Sequence, residues 1–253
     1  MKIAILGQIH QDGLDFLKSQ SLEIIEVSNF NEQNLISEIS GVDGIVIRTA
    51  NLGEGVLSKC ENLKIVSRHG VGYDNIDLNF LNKKKIALAI TGQSNAISVS
   101  EHVMTMMLIL SKNIFAADNL TRSNGFDKKA ELPDFFELYN KKILIIGFGR
   151  IGRKLIKRCL GFEMKVYVYD PFVEKKLIDS FGGIKVEELP NGLKEADIIS
   201  LSVPLTKETN NMIALNEIKM MKKNAIIINT SRGGIVNEKD LNDALNNNLI
   251  HGA

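Results

Sequence analysis

The chain has 253 residues, 44% hydrophobic and 24% charged, with a formal net charge of +1. That balance offers neither the basic excess of a nucleic-acid binder nor the acidic tail of a solvating segment. Its longest apolar stretch, residues 103–110, is far short of a membrane span, so no membrane association is expected. The apolar run after Met1 is four residues long, too short for a signal-peptide core. Cys60 and Cys159 are the two cysteines, neither with metal-ligand neighbours at useful spacing. They fit a reducing, cytoplasmic setting with no metal centre.

Along the chain, apolar runs at residues 3–6, 24–27, 44–48, 64–67 and 86–90 predict strands, separated by stretches with helical spacing such as 13–20 and 31–39. This alternation predicts a parallel sheet covered by helices. The first strand runs into Gly7, but Leu6-Gly7-Gln8-Ile9-His10 lacks further glycines, a nucleotide-type fold without the nucleotide loop. Residues 98–113 are apolar on most of the helical circumference and rich in methionine, which predicts a buried helix joining two domains. Residues 116–140 have weak periodicity and Pro133, and read as an exposed arm or crossover. Further strands are expected at 142–146, 165–169, 197–204 and 225–230, with a helix over 153–160. A last helix opens at Asn237, with Asp240 three residues on.

The most informative segment is Gly147-Phe148-Gly149-Arg150-Ile151-Gly152, which follows an apolar strand and precedes a helix. The next strand ends on Asp170, at the distance that turns a weak glycine pattern into a dinucleotide site. Gly147 permits a tight turn, Gly149 lets the backbone approach a pyrophosphate, and Gly152 allows close packing of helix on sheet. The helix N-terminus then presents free N–H groups to the phosphates. Asp170 suits a ribose diol and repels a 2′-phosphate, which predicts NAD over NADP.

Ligands of such sheets bind beyond the carboxyl ends of the strands, and two of these ends stand out. Residues 225–230 lead into Ser231-Arg232-Gly233-Gly234, and residues 200–204 lead into Leu205-Thr206-Lys207-Glu208-Thr209. An arginine just past a buried strand suits a carboxylate, which its planar fork grips through both oxygens. A surface arginine paired with a nearby acid fits the spacing equally well. The loop Arg68-His69-Gly70-Val71-Gly72-Tyr73-Asp74-Asn75 follows another strand. Its glycines fit an anion-binding nest or a plain turn.

Taken together, the 68–77 run, the start of the 98–102 helix, Gly147–Gly152 with Asp170-Pro171, Val203-Pro204-Leu205-Thr206, and the 229–236 run resemble the D-isomer-specific 2-hydroxyacid dehydrogenases, with closest similarity to the phosphoglycerate dehydrogenase-like branch. The resemblance runs in order over nearly the whole chain. It implies a flavodoxin-like substrate domain at 1–97 and an NAD-binding Rossmann domain at 98–253, with the active site in the cleft between them. It also implies a homodimer paired through the cofactor domain, with the 98–113 helix and the 116–140 arm at the contact. Arg232 is then the catalytic residue that holds the substrate carboxylate. Val71 and Gly72 N–H groups take its other side, and Arg48 is a further substrate contact. Arg150 and Ile151 lie against the pyrophosphate, Asp170 and Pro171 at the adenine ribose, and Val203, Pro204 and Thr209 along the cofactor. Thr230, Ser231 and Arg232 line its nicotinamide end.

The implied chemistry is NAD-dependent interconversion of a small 2-hydroxy acid and its 2-oxo acid. In the family a histidine poised by a glutamate moves the proton, and both lie downstream of the arginine motif. The resemblance therefore reads the chain as truncated in its second domain and predicts weak or absent turnover. The four histidines, His10, His69, His102 and His251, do not occupy that position. The alternative reading is a non-catalytic NAD(H)-binding or sensing protein on the same fold.

Overall fold

The computed structural model describes residues 1–92 and 94–253, which fall into two compact units, Met1–Asn95 and Ala96–Ala253. The division lies two residues before the 97/98 boundary that the resemblance implies.

Unit 1 alternates strand and helix throughout: β1 (Lys2–Leu6), α1 (Gln11–Ser19), β2 (Glu23–Val27), α2 (Glu32–Ile39), β3 (Gly44–Ile47), α3 (Glu54–Leu57), β4 (Ile65–Arg68), α4 (Leu78–Lys84) and β5 (Ala87–Ile90). Its five strands are parallel in the order β2-β1-β3-β4-β5, the flavodoxin-type order. Parallel strands covered on both faces need apolar side chains on both. Ala4, Leu6, Ile45, Ile47 and Val66 accordingly sit in one core with Leu35 and Ile39 of α2 and Phe80 and Leu81 of α4.

Unit 2 opens with α5 (Ala96–Ser111), α6 (Ile114–Arg122) and a 3₁₀ turn at Phe126–Glu131. It continues as β6 (Lys142–Ile146), α7 (Arg150–Gly161), β7 (Lys165–Tyr169), α8 (Lys175–Ser180), β8 (Ile184–Lys185), α9 (Leu189–Glu195), β9 (Ile198–Leu201), α10 (Leu215–Met220), β10 (Ile226–Asn229) and α11 (Glu238–Asn246). The strands are parallel in the order β10-β9-β6-β7-β8. The chain builds outward from β6 to β8, then returns to the other side of β6 for β9 and β10, so the sheet reverses direction between β6 and β9. Ile143–Ile146, Ile198, Ile199 and Ile226–Ile228 are all buried.

Several expected bounds shift. The helix after the glycine hexapeptide begins at Arg150, not at residue 153, because Gly149 is its N-cap and Ile151 and Gly152 form its first turn. The strands expected at 197–204 and 225–230 shorten to Ile198–Leu201 and Ile226–Asn229. The 116–140 arm carries a helix, α6, that weak periodicity hid. The all-round apolar helix is buried on one side only, through Val103, Met104 and Met107, where α5 packs on α7. Among the described residues no helix is long and apolar enough to cross a membrane.

Candidate cofactor site

The site begins where β6 ends. Gly147 has φ +96 and still donates its N–H to the Tyr169 carbonyl at 2.9 Å. A Cβ on Gly147 would stand 2.5 Å from the Ser202 carbonyl oxygen, so the turn tolerates no side chain in that direction. A Cβ on Gly152 would collide with the Gly147 carbonyl oxygen, which lets α7 start directly over the turn. Gly149 faces open space, with nothing within 4 Å of where its Cβ would be. No side chain caps α7 at Gly149, and an uncapped helix N-terminus of this kind is suited to an anion.

This turn forms one wall of a cavity of about 570 Å³, within the usual range for a small-molecule site. The cavity lies beyond the carboxyl ends of β6, β7 and β9, at the reversal of strand order, where open α/β sheets bind ligands. Ile146, Gly147 and Gly149 line it from β6, Tyr169, Asp170, Pro171 and Phe172 from β7, and Ser202, Val203 and Pro204 from β9. Thr206, Glu208, Thr209 and Met212 close it from the loop after β9. That loop is held by Thr209, whose hydroxyl donates to the Pro204 carbonyl at 2.6 Å and accepts from the Thr206 N–H at 2.8 Å. A hydrogen bond from Thr206 keeps the Glu208 carboxyl below its ordinary value.

Asp170 does more than face the cavity. Its Oδ2 accepts from the Phe148 N–H at 2.8 Å and its Oδ1 from the Phe172 N–H at 3.0 Å. Phe148 itself is fully buried, edge-on to Phe181 at 5.5 Å. Sequence reasoning gave Phe148 no role, because the position between two glycines carries no pattern.

Beside the cavity, β10 ends in a turn organised by Asn229. Its Oδ1 accepts from the Ser231 N–H at 3.0 Å, and its Nδ2 donates to the Arg232 carbonyl at 2.8 Å. The Ser231 hydroxyl donates to the Leu201 carbonyl at 2.9 Å, fixing the turn to β9. Arg232 is exposed, and its Nη1 donates to the Ser231 carbonyl at 2.8 Å. Thr230, Ser231 and Arg232 do not line the 570 Å³ cavity; they stand at the neighbouring strand end. Asn229 is absent from the expected site residues, although an Asn two positions before a serine is the pattern of an Asx turn.

A dinucleotide fits these residues. The Ser202 and Thr230 hydroxyl oxygens are buried without a hydrogen-bond partner among the described residues, and buried polar atoms of that kind call for a ligand or water. With the open side of Gly149, the uncapped α7 and the Asp170 carboxylate, they are donors and acceptors of the kinds a dinucleotide needs.

In unit 1, Arg48 follows β3 and donates from Nη1 to the Gln8 carbonyl at 3.3 Å. It is exposed and borders a 450 Å³ hollow with Gly7, Ser28 and Thr49. Val71 and Gly72 lie in the loop after β4, where Gly70 has φ +149. Neither donates its N–H to a backbone carbonyl among the described residues. Cys60 and Cys159 are both buried, and burial pushes their thiols up, to about 11 and about 12, which makes them poor nucleophiles.

The family model described as "D-isomer specific 2-hydroxyacid dehydrogenase, NAD binding domain" matches residues 104–253. A D-3-phosphoglycerate dehydrogenase of Methanocaldococcus jannaschii is 35% identical over 254 residues, spanning 100% of this chain and 48% of that protein. The chain thus spans about half the length of the phosphoglycerate dehydrogenases it matches. A glyoxylate reductase of Pyrococcus furiosus is 32% identical over 260 residues, spanning 100% of this chain and 77% of that protein. Among solved structures, the D-lactate dehydrogenase of Aquifex aeolicus, complexed with NAD and lactic acid, superposes with a TM-score of 0.86. It is 32% identical, over 100% of this chain and 75% of that one. The matched residues all lie in unit 2, around the glycine turn and Asp170, and the chain belongs to the D-isomer specific 2-hydroxyacid dehydrogenase family, with NAD as the cofactor of this unit.

Proposed function

We propose that the chain binds NAD in the unit 2 cavity and orients a small 2-hydroxy or 2-oxo acid through Arg232, as part of a D-2-hydroxyacid dehydrogenase of the phosphoglycerate dehydrogenase-like kind. The observation that carries this is the glycine turn, open at Gly149 and closed to side chains at Gly147, set against an uncapped helix and an acid at the end of β7. The chemistry that NAD supplies when bound is acceptance of a hydride from the hydroxyl-bearing carbon, or its return to the 2-oxo carbon. The α7 N–H groups at Arg150 and Ile151 neutralise the pyrophosphate. Asp170 accepts from the adenosine ribose and disfavours a 2′-phosphate, with Pro171 beside it. Val203, Pro204 and Thr209 wall the cavity, and we assign Thr230 and Ser231, at the neighbouring strand end, to the nicotinamide end.

Arg232 grips the substrate carboxylate with its fork and fixes the face presented for transfer. In unit 1, Val71 and Gly72 offer N–H groups to a carboxylate, and Arg48 offers a further cation. A guanidinium is a donor with no acceptor lone pair, so Arg232 takes no proton from the hydroxyl. His251 packs edge-on against Phe136, and His102 borders a separate groove with Met106, Ile109 and Phe115. Neither lines the cofactor cavity. We read His102 and His251 as outside the proton transfer, and the 253-residue polypeptide as binding and orienting better than it transfers protons. Ile114, Phe115, Phe126 and Phe135 are 45–70% exposed along the α6 arm, an apolar face of the kind that self-associates. We assign it to a homodimer, which the molar mass in solution checks.

Steady-state assay with NADH and glyoxylate, hydroxypyruvate or pyruvate tests this reading. The polypeptide is expected to turn over slower than a complete acid–base site by a factor on the order of 10²–10⁴, with R232A lowering what remains. Family-like rates, or residual turnover indifferent to R232A, would sink it.

A further inference from the structure

We propose that Asp170 is a positioning residue for the phosphate-binding turn, acting through Phe148, in addition to any contact it makes with a ribose; this rests on the NAD reading of the cavity. The β6–β7 ladder ends with the Gly147 N–H on the Tyr169 carbonyl. One residue further, the Phe148 N–H has no carbonyl to meet, since the chain turns away into α7. The positive-φ turn at Gly147 leaves that N–H facing the Asp170 carboxylate instead, at 2.8 Å.

The rest of Phe148 is held as well. Its carbonyl accepts from Arg153 Nε at 3.1 Å, the Arg153 guanidinium lies 5.7 Å from the ring centroid, and the ring is seated against Phe181. With its donor, acceptor and ring all engaged, Phe148 sets the direction in which Gly149 and the first turn of α7 present their N–H groups. A buried N–H that loses its acceptor is costly, so removing the carboxylate frees the turn to reorient. The acid then serves two ends of the cofactor: the ribose directly, and the pyrophosphate through the turn.

Inorganic pyrophosphate separates these roles, because it carries no ribose. Titrations of NADH and of pyrophosphate, followed by the amide resonances of Gly149, Arg150 and Ile151, are compared in the unaltered chain, D170A and D170N. D170A is expected to weaken pyrophosphate as well as NADH, by roughly tenfold, the effect of one hydrogen bond to a charged acceptor. D170N keeps an acceptor oxygen for Phe148 and recovers most of the pyrophosphate affinity. The Phe148 amide exchanges slowly in the unaltered chain and faster in D170A. If D170A loses NADH but binds pyrophosphate like the unaltered chain, Asp170 is a ribose ligand only; the proposal is overturned and the NAD reading stands. Fast exchange of the Phe148 amide in the unaltered chain also overturns it, independently of any variant's folding. Absence of NADH binding by the unaltered chain overturns the NAD reading itself.

Discussion

The two units begin alike and part within three residues. β1 and β6 each start on a lysine, end in apolar residues, and turn on a positive-φ glycine, Gly7 at +99 and Gly147 at +96. In unit 1 the next residue, Gln8, is exposed, whereas Phe148 is fully buried. The following helix, α1, is capped by the His10 side chain, which accepts from the Asp12 N–H, and carries an acid in its first turn. Helix α7 is uncapped, with Arg150 at its start. At the end of the second strand, unit 1 has Ser28 where unit 2 has Asp170. A strand–glycine–helix turn is therefore not an anion site in itself. On the proposed reading it becomes one when the helix N-terminus carries no side-chain cap and no acid and is anchored so that its N–H groups hold their direction.

The same pairing extends to the opposite end of both sheets. Asp43 accepts from the Lys2 N–H at 2.9 Å and Lys64 Nζ at 2.9 Å; Asp197 accepts from the Lys142 N–H at 2.8 Å and Lys222 Nζ at 2.8 Å. In each case the aspartate joins the first strand to its neighbour. Here the units remain equivalent, because the device serves the sheet and not a ligand.

The sharpest way to break the comparison is to put the same side chain at both glycines. G147A pays for φ and for a Cβ 2.5 Å from the Ser202 carbonyl, whereas the nearest atom to a Cβ on Gly7 is 3.5 Å away. We expect G147A to lose NADH binding and about 2–4 kcal/mol of stability, and G7A to lose about 1–2 kcal/mol with NADH binding intact. Chemical denaturation and NADH titration read both, and equal effects would deny the difference between the turns.

The aspartates give a smaller contrast. Hydrogen bonds from the Lys2 N–H and from Lys64 lower the Asp43 pKa. Burial pushes Asp197 up, but the hydrogen bonds from Lys222 and the Lys142 N–H outweigh it, and its pKa is lowered as well. A lowered folded pKa means that the stabilisation is present above the unfolded carboxylate value, about 3.9, and is lost as pH falls through the folded one. Denaturation at neutral pH should find D197A destabilised by about 1–3 kcal/mol and D43A by less, since Asp43 is more exposed. Both differences should vanish in strong acid; a D197A effect that persists there would show that the carboxylate charge is not its source.

The smallest expected effect is at His10. Removing that cap in H10A should cost about 0.5–1 kcal/mol without creating nucleotide binding, since unit 1 still lacks the anchor and the acid at the strand end. A nucleotide affinity gained by H10A would mean that an open helix end suffices.

Strands and the glycine turn could be read from the residues because their causes are local. Parallel strands buried on both faces, such as 143–146 and 226–228, must be continuous apolar runs, and a turn with no room for a Cβ must be glycine. The short helices Glu54–Leu57, Leu189–Glu195 and Leu215–Met220 escaped because four to seven residues show too little of a 3.6-residue period. The first turn of α7 was misplaced because Gly149 carries no capping side chain. Within the site, Gly147, Gly149, Asp170, Pro171, Val203, Pro204 and Thr209 all border the cavity, whereas Tyr169, Ser202, Glu208 and Met212 were not anticipated. Their presence depends on how three strand ends converge, which no local pattern encodes. The second use of Asp170 was hidden for the same reason: its partner, the Phe148 N–H, is a backbone group 22 residues away.

Calorimetric titration of the 253-residue polypeptide with NADH and NADPH bears most directly on the proposed dinucleotide site. One saturable NADH site per chain is expected, with NADPH weaker by at least about tenfold because the 2′-phosphate meets Asp170. No saturable NADH binding, or NADPH bound as tightly as NADH, would contradict it.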